Sequence, residues 1–481
     1  MRLILVFLSL LWAQRMGIRF KDPVFSQIQV TKDVKYGENL SFTQAPVELF
    51  MDVYEPVGDT MARRPVIILI HAGSFLPPTL AGSAFGRVPI GTREDSGIVA
   101  LCREFARRGY VAISATHRLG WNPSASTQEL RAQSIIQAVW RAVQDARALV
   151  RFLRKDAATT NRFRVDPNRI VMGGSSSGAY VGLHVAYLNR PEELDNPKFK
   201  LSDGTVFVDT TAPGMDRGTG PNASSNAFEG GSGHPGYPSN IQAVLNLGGA
   251  LGDTSFIQNE NIPVISLHGV QDPTTPYTSG IVITAVGNLP IIEVFGSYSL
   301  TQKLIEKGNQ TQLLPDFADD LPFPGLYPWQ GVGFEPFGWY NNSSPAEKER
   351  ARRYVDTVLW FAAPRLFKVL DLPVIEQPIA SLASEIREFF DNFSHAEDAV
   401  ESFSIYPNPA FSPLVSIVHQ RLAIQKVELY TPIGTKLAEA CLASPSLEYV
   451  WALPSELPTG LYVLLVRTEK GIAAKTWSYL H

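Results

Sequence analysis

The sequence predicts an α/β fold built on a doubly wound, mostly parallel sheet, followed by a small all-β sandwich. Three observations predict it. Short, wholly apolar runs recur from Val47 to Val369; a long segment free of Gly and Pro lies between two of them; and from Phe403 the texture changes to short alternating strands broken by turns. Runs of that length fit strands buried on both faces, and their alternation with helical stretches fits parallel βαβ units.

The runs Val66–Ile70, Val111–Ala115, Ile170–Met172, Ile241–Leu247 and Val264–Leu267 supply the expected strands. Thr127 to Lys155 is helically periodic, with Ile136, Val139, Trp140, Val143, Val150 and Leu153 on one face. Ala179 to Leu188 and Pro345 to Val369 read as further helices, and Ile291 to Tyr298 as the last strand of the sheet. Clustered Gly, Pro, Ser, Asn and Asp mark Pro197 to Asn240 as a surface insertion, and Asn309 to Ser344 as a second irregular stretch. The expected organisation is a leader over 1–13, an α/β domain over 14–369, a linker over 370–402 and a β-module over 403–481.

Composition narrows the function classes. Hydrophobic residues make up 45% and charged residues 18%, with a formal net charge of -4, so no basic surface draws the chain to nucleic acid. Met1-Arg2, the apolar stretch Leu3 to Trp12 and Ala13 read as a signal peptide, which puts the mature start near Gln14. That stretch is shorter than the ~20 residues a spanning helix needs, and no later segment reads as transmembrane. Cys102 and Cys441 fall in different expected domains and fit no metal-ligand spacing; both read as small buried apolar residues. No cofactor or metal is called for.

The C-terminal module carries ordered motifs. Ser404-Ile405-Tyr406-Pro407-Asn408-Pro409 opens it, Val427-Glu428-Leu429-Tyr430 and Gly434 follow, then Leu457-Pro458-Thr459-Gly460-Leu461-Tyr462-Val463, and Val466 to Gly471 with Lys475 close it. Over its full length this resembles the type IX secretion sorting domain of Bacteroidetes. The resemblance implies the type IX secretion machinery as a partner, export through the periplasm, and release or attachment at the cell surface.

The chemistry-bearing motifs lie in the α/β domain. Ile170-Val171-Met172-Gly173-Gly174-Ser175-Ser176-Ser177-Gly178 runs from a strand through Gly-x-Ser-x-Gly into a helix, and only Ser176 has a glycine two residues away on both sides. Asp166-Pro167-Asn168-Arg169-Ile170 leads in, as in carboxylesterases, and His71-Ala72-Gly73-Ser74-Phe75 resembles the His-Gly-Gly-x-Phe oxyanion loop of esterases and lipases. The chain thus resembles an α/β-hydrolase of the carboxylesterase kind. The resemblance implies Ser176 as nucleophile and the backbone N–H groups of Gly73, Ser74 and Ser177 as oxyanion donors, with His71 holding the loop. Ala72 stands where the family has glycine. Leu267 to Pro276 resembles the strand end bearing the family's acid, which implies Asp272, with Asp253 as the other candidate.

The family's histidine is missing. No histidine lies between Asp272 and His395, and Gly331-Val332-Gly333-Phe334-Glu335-Pro336-Phe337 looks like the family's Gly-x-Gly-His-x-Pro-Phe with phenylalanine in its place. His395 keeps the Ser–Asp–His order, and His234 sits in the insertion, so both are candidates for the base. His117 and Arg118 at a strand end are candidates to line the cleft. Three functions stay open at this point. The first is an exported ester hydrolase acting on a small molecule, an acylated carbohydrate, a lipid or a polyester. The second is an impaired hydrolase fold retained as a surface binding protein, and the third a peptidase.

Overall fold

The computed structural model describes residues 16–86, 90–208, 233–258, 261–284, 287–314, 316–317, 321–330, 343–378, 403–406, 414–419, 423–430, 436–453, 457, 460–468 and 471–479. The leader, Phe334, His395 and most of the linker lie outside them. The chain divides into two compact units, Ile18–Glu376 and Met1–Gly17 with Gln377–His481.

In the larger unit the chain runs β1 (Ile28–Leu40), β2 (Pro46–Pro56), β3 (Arg64–Ile70), α1 (Pro78–Phe85), α2 (Ser96–Arg107), β4 (Val111–Ala115), α3 (Gln128–Ala158), β5 (Val165–Ser175) and α4 (Ser177–Tyr187). It continues through β6 (Ala243–Leu247), β7 (Ala250–Leu251), β8 (Val264–Gly269), β9 (Ser279–Ile283), β10 (Pro290–Gly296), α5 (Ser297–Glu306), β11 (Leu326–Trp329) and α6 (Pro345–Val369). The central eight-stranded sheet has the order β11-β8-β6-β5-β3-β4-β2-β1. Strands β4, β3, β5, β6, β8 and β11 run parallel, while β2 and β1 add antiparallel at one edge. Alternate residues of the central strands feed two apolar layers: Val66, Ile68 and Ile70 pack towards α3 and α4, whereas Ile67 and Leu69 pack towards α2 and α6. That two-sided burial is why the strands read as continuous apolar runs.

Two expectations need correcting. Ile291 to Tyr298 is not the last strand of the central sheet: Pro290–Gly296 joins β9 and β7 in a separate antiparallel sheet. The last central strand is Leu326–Trp329, inside the stretch read as irregular. Its four residues include Pro328, which hides the strand signature but is tolerated on an edge. The other sheet edge, β1, also escaped the pattern, because only Val34 and Tyr36 of its thirteen residues are buried.

Helix α3 spans Gln128–Ala158, with the Thr127 hydroxyl capping Leu130 N at 3.2 Å. It is enclosed beyond its apolar face. Arg141, Arg147, Arg151 and Arg154 are buried on it and donate to backbone carbonyls: Arg141 to Gly120, Arg147 to Leu188, Arg151 to Gly233, and Arg154 to Pro167, Pro238 and Asn240. The insertion is therefore anchored at both ends, not purely superficial. Phe199, Phe207 and Val208 join the core, Gln137 holds the Phe207 carbonyl at 2.8 Å, and Arg151 holds Gly233 at 2.9 Å.

In the smaller unit, β12 (Phe403–Tyr406), β13 (Leu414–His419), β14 (Ile424–Tyr430), β15 (Lys436–Ser446), β16 (Glu448–Ala452), β17 (Gly460–Thr468) and β18 (Gly471–Tyr479) form two antiparallel sheets, β12-β13-β16 and β15-β14-β17-β18. Val415, Ile417 and Trp451 of one share a core with Val427, Leu429, Leu464 and Val466 of the other, the expected sandwich. Cys102 is buried as anticipated, but Cys441 is exposed on β15. No described helix is long and apolar enough to cross a membrane.

Candidate active site

Ser176 sits at the sharp turn between β5 and α4. Its backbone is at φ 50°, ψ -120°, a left-handed conformation that costs a non-glycine residue ~1–3 kcal/mol. The turn persists because its surroundings over-determine it. A Cβ on Gly174 would lie 2.2 Å from the Ile70 carbonyl oxygen, and one on Gly178 2.1 Å from the same atom. Both elbow glycines thus let β3 and α4 close around the turn. The Ser176 N–H donates to Leu247 O at 2.8 Å, tying the elbow to β6. Ser175 and Ser177 are buried while Ser176 is partly open, so of the three serines Ser176 alone is presented. It caps the N-terminus of an eleven-residue helix, whose dipole favours negative charge there.

The loop after β3 faces this elbow. Gly73 (φ 119°), Ser74 (φ 54°) and Phe75 (φ 58°) are all left-handed, two of them without the freedom of glycine. Hydrogen bonds offset the strain: Trp121 Nε1 donates to Ser74 O at 2.8 Å, Gly120 N to Phe75 O at 2.8 Å, and Leu76 N to Gly73 O at 3.0 Å. Ala72 is not among the positive-φ residues, so alanine is accommodated there without strain. Across the gap, the Ser74 N–H donates to Ser177 Oγ at 3.1 Å. Among the described residues, the N–H groups of Gly73 and Ser177 have no acceptor. The brace from Gly120 and Trp121 had no sequence signal; the residues lie over 40 positions from the loop they hold.

Asp272 stands at the same edge. Its Oδ2 lies by Gly248, one residue past Leu247, whose carbonyl accepts from Ser176. Its Oδ1 accepts from Thr274 N at 2.8 Å, Thr274 Oγ1 at 2.8 Å and Thr275 N at 3.0 Å, so the carboxylate also caps its own turn. His268 Nε2 lies 3.6 Å from Oδ2 and 3.0 Å from Thr275 O. A carbonyl can only accept, so Nε2 carries the proton and Nδ1 accepts from Ser297 Oγ at 2.8 Å. Asn246 Nδ2 donates to that same Ser297 Oγ at 2.9 Å and its Oδ1 accepts from Gly249 N at 2.9 Å. A buried polar network thus joins the turn of Asp272 to the end of β6. Asp253 instead caps a short turn through Ser255 N at 2.9 Å, and its Oδ2 lies 3.8 Å from Lys198 Nζ.

The histidines fall elsewhere. His234 donates from Nε2 to Tyr36 O at 2.6 Å and packs on Phe152. Tyr36 belongs to edge strand β1, four positions from β5 in the sheet, roughly 19 Å away at ~4.8 Å per strand. The insertion that carries His234 is held along α3, which is why that residue is not brought to Ser176. His395 and Phe334 lie outside the described residues. His71 donates from Nδ1 to Ala72 O at 2.7 Å and is buried, which pushes its pKa down to about 4; it holds the loop. His117 and Arg118 do not line a cleft: His117 is buried against His71, and Arg118 pairs with buried Asp145 at 2.9 Å. Among the described residues, no side chain hydrogen-bonds Ser176 Oγ, and no cluster of three or more His, Cys, Asp or Glu could hold a metal.

Sheet order, nucleophile-type elbow and left-handed loop together define an α/β-hydrolase-fold protein. Residues 51–211, which carry both the loop and the elbow but not Asp272, match the BD-FAE family model. No curated protein matches the chain. Among solved structures it is similar to a thermophilic esterase of the Planctomycetes species Thermogutta terrifontis with propionate bound, at 16% identity and a TM-score of 0.36 over 69% of this chain and 94% of that one. It is likewise similar to Thermogutta terrifontis esterase 2 phosphoramylated by tabun, at 16% identity and 0.36 over 70% and 95%. A third is esterase B from Lactobacillus rhamnosis with a tributyrin phosphonate inhibitor, at 12% identity and 0.34 over 77% and 95%.

Proposed function

We propose that the protein hydrolyses carboxylic esters through Ser176, forming an acyl-enzyme that water then cleaves. The observation that carries this reading is the elbow itself: a strained, partly open serine at a helix N-terminus, opposite a left-handed loop, with the N–H groups of Gly73 and Ser177 lacking an acceptor among the described residues. Acyl transfer builds negative charge on the carbonyl oxygen, and preorganised donors at that point lower the barrier. The match of residues 51–211 to BD-FAE supports the same reading. In it Gly73, Ser74 and Ser177 form the oxyanion site and Asp272 serves as the acid. The ester belongs to an extracellular small molecule, an acylated carbohydrate, a lipid or a polyester. Release of 4-nitrophenol from short-chain esters tests this: wild type should turn over and Ser176→Ala should fall to background, and equal rates would remove the hydrolase.

Export by the type IX route belongs to the proposal, supported by the leader-like N-terminus and the ordered motifs of residues 403–481. Deleting that module in the native host should hold a folded protein in the periplasm, whereas normal surface delivery would refute it. The second reading, a binding protein on an impaired hydrolase fold, is favoured by the lack of a described base beside Ser176 Oγ.

A further inference from the structure

Resting on the ester-hydrolase reading, the surroundings of Ser177 add a participant to the oxyanion site. Ser177 is the first residue of α4 and is buried, with 3% of its surface exposed. Its Oγ accepts the Ser74 N–H at 3.1 Å. That N–H would otherwise be one of the donors facing a substrate carbonyl, so here it is spent on a hydroxyl oxygen. A serine hydroxyl has one proton besides its two lone pairs. Accepting from Ser74 leaves that proton to give, and among the described residues it is given to no acceptor. Leaving a buried donor idle costs ~1–3 kcal/mol. The hydroxyl stands between the two halves of the site, bonded to the loop on one side and covalently part of the elbow on the other.

We propose that the Ser177 hydroxyl is itself an oxyanion donor, taking the Ser74 N–H and turning its own proton to the carbonyl oxygen of an ester attacked by Ser176. The donor set is then Gly73 N–H, Ser177 N–H and Ser177 Oγ–H. Ser74 acts one step removed, because a hydroxyl that accepts a hydrogen bond becomes a stronger donor in a site shielded from water. No bond to Ser177 is made or broken; its proton remains on Oγ throughout. The arrangement matters more where no described base assists Ser176, since charge stabilisation then carries most of the acceleration.

A hydroxyl that merely ties loop to elbow would look the same in the resting protein, so the test must read the carbonyl oxygen. The hydrolysis of 4-nitrophenyl butyrate is compared with that of its thiono analogue, in which sulfur, a weak hydrogen-bond acceptor, replaces the carbonyl oxygen. Ser177→Ala should lower kcat on the oxygen ester about 10²-fold, with the thiono ester much less affected, so that the oxygen-to-sulfur rate ratio drops about tenfold or more. Ser177→Thr, which keeps the hydroxyl, should retain the wild-type ratio. Equal slowing of both esters, or no slowing, overturns the proposal. Should the alanine variant not fold by circular dichroism, Ser177→Cys, with its weak S–H donor, reads the same ratio. Wild-type hydrolysis that survives Ser176→Ala overturns the hydrolase reading and this inference with it; Ser176-dependent hydrolysis with an unmoved ratio overturns this inference alone.

Discussion

The imidazoles of His71 and His117 lie 4.7 Å apart, centroid to centroid, at the ends of the neighbouring parallel strands β3 and β4. Both are buried, and His71 Nε2 and both nitrogens of His117 have no partner among the described residues. Burial pushes His71 down to about 4 and His117 well below its usual range, with the charges of His71 and Arg118 adding to the effect on His117. His184, buried on α4, is likewise pushed down to about 4. An unfolded chain protonates these rings near pH 6.5, whereas the folded one refuses the proton until far lower. Stability is therefore complete above about pH 6.5 and falls as the pH drops towards 4, by roughly 3 kcal/mol for each of His71 and His184, with His117 adding in the same direction. Urea midpoints taken from pH 7 to pH 4 should show that slope. His117→Phe, which removes an unpartnered imidazole but keeps the ring, should be near neutral at pH 7 and flatten the slope by one proton.

The elbow glycines tolerate no side chain. Gly174→Ala and Gly178→Ala each drive a methyl into the Ile70 carbonyl, and the cost should be about 3 kcal/mol or more. Thermal unfolding of both variants should show it, and a loss under 1 kcal/mol would mean that the turn relaxes more freely than its packing allows.

The Arg118–Asp145 pair is a fold-level clamp. Asp145 accepts Arg118 N at 2.8 Å and Arg118 Nε at 2.9 Å, both side chains being fully buried, and Arg118 also donates to the Leu40 carbonyl at 3.1 Å. Removing one charge strands the other, so Asp145→Ala should cost ~3–5 kcal/mol. Chemical denaturation measures it directly, and salt should change the result little because the pair is shielded from solvent.

Turnover should be feeble, because among the described residues no imidazole reaches Ser176 Oγ. A positioned general base contributes ~10²–10⁴-fold, and a site lacking one keeps what its oxyanion donors and binding supply. Phe334→His, at the position that the sequence resemblance to carboxylesterases assigns to histidine, should raise kcat on a small aryl ester. His234→Ala should leave kcat unchanged, because His234 is engaged with Tyr36 at the far edge of the sheet. If either His234→Ala or His395→Ala abolishes a fast wild-type reaction, that histidine is the base.

The central strands were legible because they are buried on both faces, and Val66–Ile70 or Val111–Ala115 can be read almost residue for residue. Strands at the two sheet edges were not. Half-exposed β1 mixes charge with its few buried positions, and β11 is four residues long with a proline. The elbow was legible because its glycines are a steric requirement, which composition records directly. What holds the oxyanion loop was not, since Gly120, Trp121 and the Ser177 hydroxyl reach it only through the fold. His234 misled for the same reason: proximity of the insertion to the site cannot be judged until Arg151 and Gln137 are seen to fasten it along α3.

The central claim is that Ser176 is the nucleophile. A fluorophosphonate probe, followed by peptide mass spectrometry, tests it most directly, because the probe reacts preferentially with a serine activated within an oxyanion site. The label should fall on Ser176 and vanish in Ser176→Ala. Label on Ser175 or Ser177 would contradict the assignment, and a folded protein that takes no label at all would contradict the hydrolase itself.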